Sequence, residues 1–181
     1  MKTICIFLLL TMCAVTTAAA QDVLVVYYSR DGHTKQVAEE LAKRFDADTE
    51  RLIDRRNRKG PIGTARAGKD ALAKNLTEID QLKKDPAQYR IILIGTPSWF
   101  NNMTPAVRTF VAEYDLSGKK IGVFGTAHLT GVESAMEKLS ALIAKENKGT
   151  IAQLPLVHKD LDEEILKEKI EKFYQEVMED R

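Results

Sequence analysis

The residues best suited to ligand binding lie in a short polar segment that follows an apolar run. The segment, residues 29–34, consists of Ser29, Arg30, Asp31, Gly32, His33 and Thr34. Residues 23–28 before it predict a buried strand, and helical spacing after it predicts a helix that begins near Thr34. Such a turn gathers hydroxyls and free N–H groups at the positive end of a helix dipole, which suits a phosphate. An ordinary strand-to-helix connection is the alternative.

The first twenty residues have the pattern of a secretory signal peptide. Lys2 precedes an apolar run over residues 4–10, and residues 18–20 are all alanine. This pattern predicts cleavage after Ala20 and export of the chain, because the run is too short for a membrane span. Residues 10–13, which end in Cys13, match a lipoprotein cleavage site only weakly. Lipid anchoring is therefore the less favoured alternative.

Residues 21–181 are then expected to form one domain. Both cysteines, Cys5 and Cys13, lie in the predicted signal segment, which excludes disulfides, zinc thiolate sites and cysteine nucleophiles from the mature chain. Loss of Lys2 with that segment leaves 26 basic and 26 acidic residues, so net charge favours neither nucleic acid nor an anionic membrane. The basic segment 51–59 predicts either a solvated connection or a docking site for an acidic partner.

Five apolar runs predict five strands. The runs at 23–28, 90–95 and 120–125 are continuously apolar after the Arg90 and Lys120 that begin the last two, which indicates burial on both faces, as in a parallel sheet. The runs at 49–53 and 150–157 are more polar, and the last contains a proline, which belongs at a sheet edge. Strands that alternate with helices in this pattern predict an α/β, doubly wound, five-stranded parallel sheet in the order 2-1-3-4-5.

The helices after the first are predicted from apolar spacing and from capping residues. One begins near Thr64, with Leu72, Leu76 and Ile79 expected on its buried face. Thr104 before a proline predicts the N-terminus of the next helix. Residues 132–143 predict an amphipathic helix, and Asp160 is expected to cap the last one.

Ligands of a sheet with this order bind at the carboxyl ends of strands one, three and four. The loops expected there are residues 29–34, 96–103 and 126–131. The second loop contains Trp99, the only tryptophan of the chain, followed by Phe100. At least one of these two rings is expected to fill the core, and the other could stack on a ligand.

The three loops together resemble those of the flavodoxins, which bind flavin mononucleotide (FMN), and the resemblance covers about the whole mature chain. It implies a flavodoxin-like fold, FMN as cofactor, a phosphate held by the first loop and a flavin ring covered by the second, with Trp99 favoured for stacking. The implied cofactor-binding residues are Ser29, Arg30, Asp31, Gly32, His33, Thr34, Thr96, Pro97, Ser98, Trp99, Phe100, Asn101, Thr126, Ala127, His128 and Gly131.

Charge near the ring carries a further implication. The second and third loops contain no Lys or Arg, so an anionic reduced flavin would be disfavoured, which implies a low reduction potential. His128, where it faces the flavin, would make that potential depend on pH. Asp31 stands where flavodoxins commonly carry a neutral hydroxyl, so either its carboxylate points outward or the phosphate is bound less tightly.

The leading functional prediction is an exported FMN-binding electron carrier with an unidentified redox partner. The alternatives are an FMN-dependent NAD(P)H:quinone-type oxidoreductase and a flavodoxin-like binding module that has lost its cofactor. Other α/β classes are excluded by missing residues: the acidic strand ends of phosphorelay receivers, the Gly-x-Ser-x-Gly elbow and the nucleoside triphosphate loop are all absent from the sequence. His33, His128 and His158 show no metal-type spacing.

Overall fold

The computed structural model describes residues 22–58 and 60–179, in which strands and helices alternate. The predicted signal segment, residues 1–20, and Lys59 of the basic segment lie outside the described residues. The strands are β1 (Val23–Tyr27), β2 (Asp48–Arg51), β3 (Ile91–Pro97), β4 (Lys120–Ala127) and β5 (Ala152–Val157). The helices are α1 (His33–Phe45), α2 (Gly60–Leu72), α3 (Pro105–Glu113), α4 (Val132–Ile143) and α5 (Glu163–Met178), with short 3-10 helices at Pro86–Gln88 and His158–Leu161.

The five strands form one parallel sheet in the order β2-β1-β3-β4-β5, which confirms the predicted topology. In the register of the sheet, Val26 of β1 lies beside Ile94 of β3, which lies beside Val123 of β4. All five residues of β1 are buried. In β2 and β5, buried residues are interspersed with exposed or half-buried ones, as in edge strands. The parallel register brings the carboxyl ends of β1, β3 and β4 to one edge.

Helices cover both faces of the sheet, so the hydrophobic core has two layers. One layer packs α1 and α5 on the sheet, with Leu41 and Phe173 among its buried residues. The other packs α3, α4 and the short side chains of α2, with Phe110 and Met136 at its centre. No helix within residues 22–58 and 60–179 combines the length and apolarity needed to cross a bilayer.

The predicted buried face of the second helix is wrong. α2 begins at Gly60 and ends at Leu72, which is 58% exposed. Leu76 and Ile79 lie beyond its end; Leu76 is 50% exposed, and Ile79 is half-buried against the core from outside the helix. The buried positions are instead small ones, including Ala67 and Ala71, each 1% exposed. Small side chains allow the helix to pack closely against the core. A prediction of the buried face from the positions of the leucines is therefore wrong for this helix.

The predicted cap of the last helix is also wrong. Asp160 lies in the short 3-10 helix, where its carboxylate accepts a hydrogen bond from the Val157 N–H at 2.9 Å. α5 starts three residues later, and Asp162 caps it by accepting from the Glu164 N–H. Both aspartates have a side chain that can cap a helix. Asp160 is close enough to the end of β5 to bond the Val157 N–H, and this leaves Asp162 as the cap of α5. Thr104 does precede α3 with Pro105 in its first turn, as predicted.

Gly95 on β3 is a position where the core leaves no room for a side chain. A Cβ there would overlap the ring of Phe124, which is fully buried on β4. We expect Gly95→Ala to lower the free energy of unfolding by about 1–3 kcal/mol, because overpacking a tight core forces strain. Urea denaturation measures this loss. In a Phe124→Leu background the same substitution should cost less, and an equal cost in both backgrounds would contradict the packing argument.

Candidate functional site

The carboxyl ends of β1, β3 and β4 enclose a cleft of about 320 Å³. Eleven residues line it, and all belong to the set predicted from the sequence: Ser29, Arg30, Asp31, His33, Thr34, Pro97, Ser98, Trp99, Thr126, Ala127 and His128. The volume is at the lower end of the range for small-molecule sites. A larger cavity of about 920 Å³ opens at the opposite edge of the sheet, beside Asn147, where none of the three predicted loops reaches.

The first loop forms a turn that leaves helix N–H groups available. Gly32 has a φ of 99° immediately before α1, a conformation that glycine adopts without strain. Its N–H donates to the Ser29 hydroxyl at 3.2 Å, which holds the turn closed. The first N–H groups of a helix have no partner within the helix, and the first residues of α1, His33 and Thr34, line the cleft. This arrangement suits a phosphate.

Hydrogen bonds join the three loops to one another. The hydroxyl groups of Thr34 and Thr126 lie 2.8 Å apart and are buried, which links the first loop to the third. The Ser98 hydroxyl donates to the Gly131 carbonyl at 2.8 Å, and the Ser98 N–H donates to the Thr126 carbonyl, also at 2.8 Å. The cleft is therefore held by paired polar groups before any ligand is considered.

The second loop separates the two aromatic residues. Trp99 is 8% exposed, and its ring meets Tyr28 edge-on, with centroids 5.5 Å apart. Residues 99–102 form a tight turn closed by two backbone hydrogen bonds, with φ of 51° at Phe100 and 58° at Asn101. Positive φ at both central positions is the geometry of a type I′ turn, and it is strained for a bulky residue such as Phe100. The buried ring is therefore that of Trp99.

Phe100 lies outside the cleft, 62% exposed, with its ring against Gly68 of α2. Asn102 fastens the same turn to α2 by donating from its amide to the Ala71 carbonyl at 3.0 Å. These contacts hold the strained turn in place. They also explain why α2 carries small residues on its inner face, since a side chain at Gly68 would overlap the Phe100 ring.

Arg30 brings a positive charge to the cleft from outside the second and third loops. Its guanidinium lies 5.4 Å from the centre of the Trp99 ring and 3.0 Å from the Asp31 carboxylate. A further bond, at 3.3 Å, joins it to the Thr64 hydroxyl on α2. Because Asp31 is paired with Arg30, the two opposite charges offset each other beside the cleft, and the carboxylate does not stand alone near the phosphate turn.

The three histidines of the chain, far apart in sequence, lie together at the rim of the cleft. The ring of His158 is 5.2 Å from that of His33 and 5.4 Å from that of His128, measured between centroids. The His158 N–H also donates to the His128 carbonyl at 3.3 Å. Within the part of the chain that the structure describes, no group of three or more His, Cys, Asp or Glu residues has a geometry that could hold a metal ion.

Five of the predicted site residues support the cleft instead of lining it. Thr96 is fully buried, and its hydroxyl accepts from the Thr104 N–H at 3.1 Å. The Gly131 carbonyl accepts from Ser98, and the Asn101 carbonyl accepts from Lys138 at 2.7 Å. Gly32 and Phe100 shape the first and second loops. A role in contacting a cofactor stays a prediction for all of the predicted residues.

Sequence reasoning missed two supporting residues, Tyr28 and Arg58. Burial raises the pKa of Tyr28, so its hydroxyl stays neutral beneath Trp99. Arg58 is only 4% exposed and pairs with Asp54 and Asp70, although the surrounding segment has the composition of a solvated basic loop. Burial opposes its charge, but hydrogen bonds to these carboxylates outweigh that effect and raise the pKa of Arg58. Nothing in the sequence distinguishes the buried Arg58 from the exposed basic residues around it.

A family model described as Flavodoxin matches residues 22–173. The chain belongs to the flavodoxin family. The match spans all five strands and the three loops of the cleft, so the family assignment and the fold agree along the same residues.

Solved structures agree with this flavodoxin fold. A flavoprotein from Lactobacillus acidophilus NCFM, solved in complex with FMN, is 20% identical over 79% of this chain and 97% of that chain, with a TM-score of 0.62. The apo form of the flavoprotein from the same organism, solved by NMR, is 22% identical over 80% of this chain and 97% of that chain, with a TM-score of 0.55. Oxidised flavodoxin 2 from Bacillus cereus is 17% identical over 84% of this chain and 95% of that chain, with a TM-score of 0.52.

The residues of this flavodoxin cleft fit FMN, the cofactor of the family. The turn at Gly32 offers N–H groups and the Ser29 and Thr34 hydroxyls to a phosphate without an unpaired carboxylate beside them. The aromatic ring of Trp99 borders the same cleft. A flavin tail and ring have these two requirements, one for donors and one for an aromatic wall.

We expect FMN to quench the fluorescence of Trp99, because the tryptophan borders the cleft and no other tryptophan contributes to the signal. A Trp99→Ala variant should fold and bind FMN at least about fivefold more weakly, since a stacked aromatic contributes roughly 1 kcal/mol beyond its buried area. Tryptophan emission measures the quenching, and flavin emission measures the affinity of the variant. Trp99→Phe is the control and should bind with intermediate affinity; unquenched tryptophan emission at saturating FMN would remove Trp99 from the site.

Proposed function

We propose that this chain is an exported flavodoxin-type electron carrier that binds FMN in the cleft and delivers electrons at low reduction potential to a redox partner. The observation that carries the proposal is the convergence of a phosphate-suited turn and a buried tryptophan on one cleft whose loops are already hydrogen-bonded together. The FMN complex of the Lactobacillus acidophilus flavoprotein supports the choice of cofactor.

In this proposal each loop has a separate task. Ser29, Thr34 and the N-terminus of α1 bind the phosphate, and the Thr34–Thr126 contact sets the distance between the first and third loops. Trp99, held by Tyr28 below it, excludes water from one side of the ring. When bound, FMN supplies the group that accepts and releases electrons.

The charges around the cleft support a low potential. Neither the second nor the third loop contributes a Lys or Arg, and the one nearby guanidinium among the residues that line the cleft, Arg30, is paired with Asp31 at 3.0 Å. Negative charge added to the ring on reduction would therefore meet little net positive charge.

Export is part of the proposal and rests on residues 1–20, which lie outside the described residues. The segment lacks paired arginines, so the chain would cross the membrane unfolded and bind FMN afterwards. The apo form of the Lactobacillus acidophilus flavoprotein supports the idea that such a fold can exist before its cofactor is bound. Location is tested by cell fractionation with an Ala18→Arg/Ala20→Arg variant, which should be retained unprocessed; a processed variant would contradict a cleavage site after Ala20.

Electron transfer is tested with the FMN-loaded protein. Reduced with dithionite, freed of excess reductant and mixed with ferric cytochrome c, it should deliver its electrons in a single turnover. Added NADPH should produce no steady oxidation without a partner protein. Steady NADPH turnover with a quinone acceptor would instead establish the oxidoreductase, and a protein that takes up no FMN would establish the binding module.

Arg30 should raise the reduction potential through its position beside Trp99. We expect Arg30→Gln to lower the midpoint potential of a one-electron step by about 20–40 mV, because a screened charge at a partly exposed site is worth roughly 0.5–1 kcal/mol. Arg30→Lys keeps the charge and is the control. Spectroelectrochemical titration measures the potentials; equal values for the protein and both variants would show that Arg30 does not act on the ring.

A further inference from the structure

A second pocket, of about 570 Å³, lies on the outer side of α2 and shares no lining residue with the flavin cleft. We call it the α2 pocket. Its walls come from the segment after β2, from α2 and from the turn at the end of α2, and the lining residues are Arg56, Asn57, Arg58, Arg66, Lys69, Asp70 and Asn75. Four of these seven residues are cationic. Such a concentration is unusual in a chain whose basic and acidic residues are otherwise nearly equal in number.

The floor of the pocket is a buried ion pair. Arg58, whose side chain is 3% exposed, donates to the carboxylates of both Asp54 and Asp70. Thr77 donates to Asp54 at 2.7 Å, and Asn75 donates to Asp70 at 3.1 Å. The Arg58 guanidinium holds the pKa of Asp70 below its usual value, so this carboxylate stays ionised and bound to its partners. Both carboxylates of the floor therefore already have charged and polar partners within the protein.

The walls above this floor keep an excess of positive charge. Arg56 reaches Asp70 only at 3.5 Å, and its side chain is 61% exposed. Arg66 and Lys69 are exposed residues on α2 whose side chains make no hydrogen bond or ion pair with any residue in the described part of the chain. Four cations face two carboxylates, so two positive charges are left unbalanced on one concave surface. An anion bound in the pocket would reduce the repulsion between these cations.

We propose that the α2 pocket is a second anion-binding site, which takes a phosphate-bearing small molecule distinct from the flavin. Arg56 and Arg66 supply planar guanidinium groups, which match the oxygens of a phosphate in pairs, and Lys69 adds a point charge. The two unbalanced charges correspond to the charge of one phosphate monoester near neutral pH. The proposal is independent of electron transfer and of FMN.

The position of the pocket gives such a ligand access to the neighbourhood of the cleft. Arg56 and Arg58 also line a groove that extends to Ser29 and Arg30. α2 itself contacts the flavin loops through Arg30–Thr64 and through Asn102–Ala71. A molecule bound by its phosphate in the α2 pocket can therefore extend along this groove to the edge of the cleft.

The test is a titration with inorganic pyrophosphate, monitored by ¹⁵N NMR on the purified protein saturated with FMN, so that the first loop is already filled. We expect shifts in the amides of residues 66–75 and none in residues 29–34. Arg66→Gln/Lys69→Gln should weaken pyrophosphate binding about tenfold, as expected for the loss of two screened charges. These side chains are exposed, so the variant should fold.

Lys145→Gln/Lys172→Gln is the matched control, because it removes two exposed cations elsewhere on the surface. It should change pyrophosphate affinity by less than twofold. Equal weakening in both double variants, or binding no tighter than that of chloride, would reduce the effect to bulk charge and overturn the proposal. Shifts confined to residues 29–34 would also overturn it, because they would assign the anion to the flavin cleft.

Discussion

The parallel register of β1, β3 and β4 is the constraint on which the site depends. Because the three strands run in the same direction side by side, their carboxyl ends open at one edge, and three loops from distant parts of the chain meet there. Thr34 and Thr126, ninety-two positions apart, come within 2.8 Å for this reason. A slip of one residue would turn every buried side chain of a central strand toward the opposite face.

A second constraint acts on the segment between β2 and β3. This segment has few large apolar side chains to bury, and the buried Arg58 organises it by pairing with Asp54 before α2 and with Asp70 within it. A buried ion pair adds little net stability when its desolvation is counted, but loss of one partner leaves a costly charge. The pair therefore defines the position of α2, and α2 in turn holds Phe100 and Asn102 of the flavin loop.

The accuracy of sequence-based prediction differs between the sheet and the helices. Continuous apolar runs located β1, β3 and β4 because a strand buried on both faces tolerates few polar residues. The leucines Leu72 and Leu76 led to the wrong face of α2, because its buried positions are Gly68, against the Phe100 ring, and Ala67, and these small residues carry no strong hydrophobic signal. The cap of α5 was misassigned to Asp160 because Asp160 and Asp162 have the same chemistry and differ only in their distance from the end of β5. The electrostatics of the site also required three-dimensional contacts, because no local pattern predicts that the Arg30 guanidinium lies 5.4 Å from the Trp99 ring.

Consecutive residues were enough to specify the sheet order, the three loops and the family, because hydrophobic runs and turn chemistry are local properties of a chain. It was not possible in this way to separate the predicted residues that line the cleft from those that only support it, or the paired charges from those that stay unbalanced. The meeting of His33, His128 and His158 is one example, since each histidine ends or follows a different strand. Such outcomes depend on distances between residues far apart in the chain, and packing sets those distances.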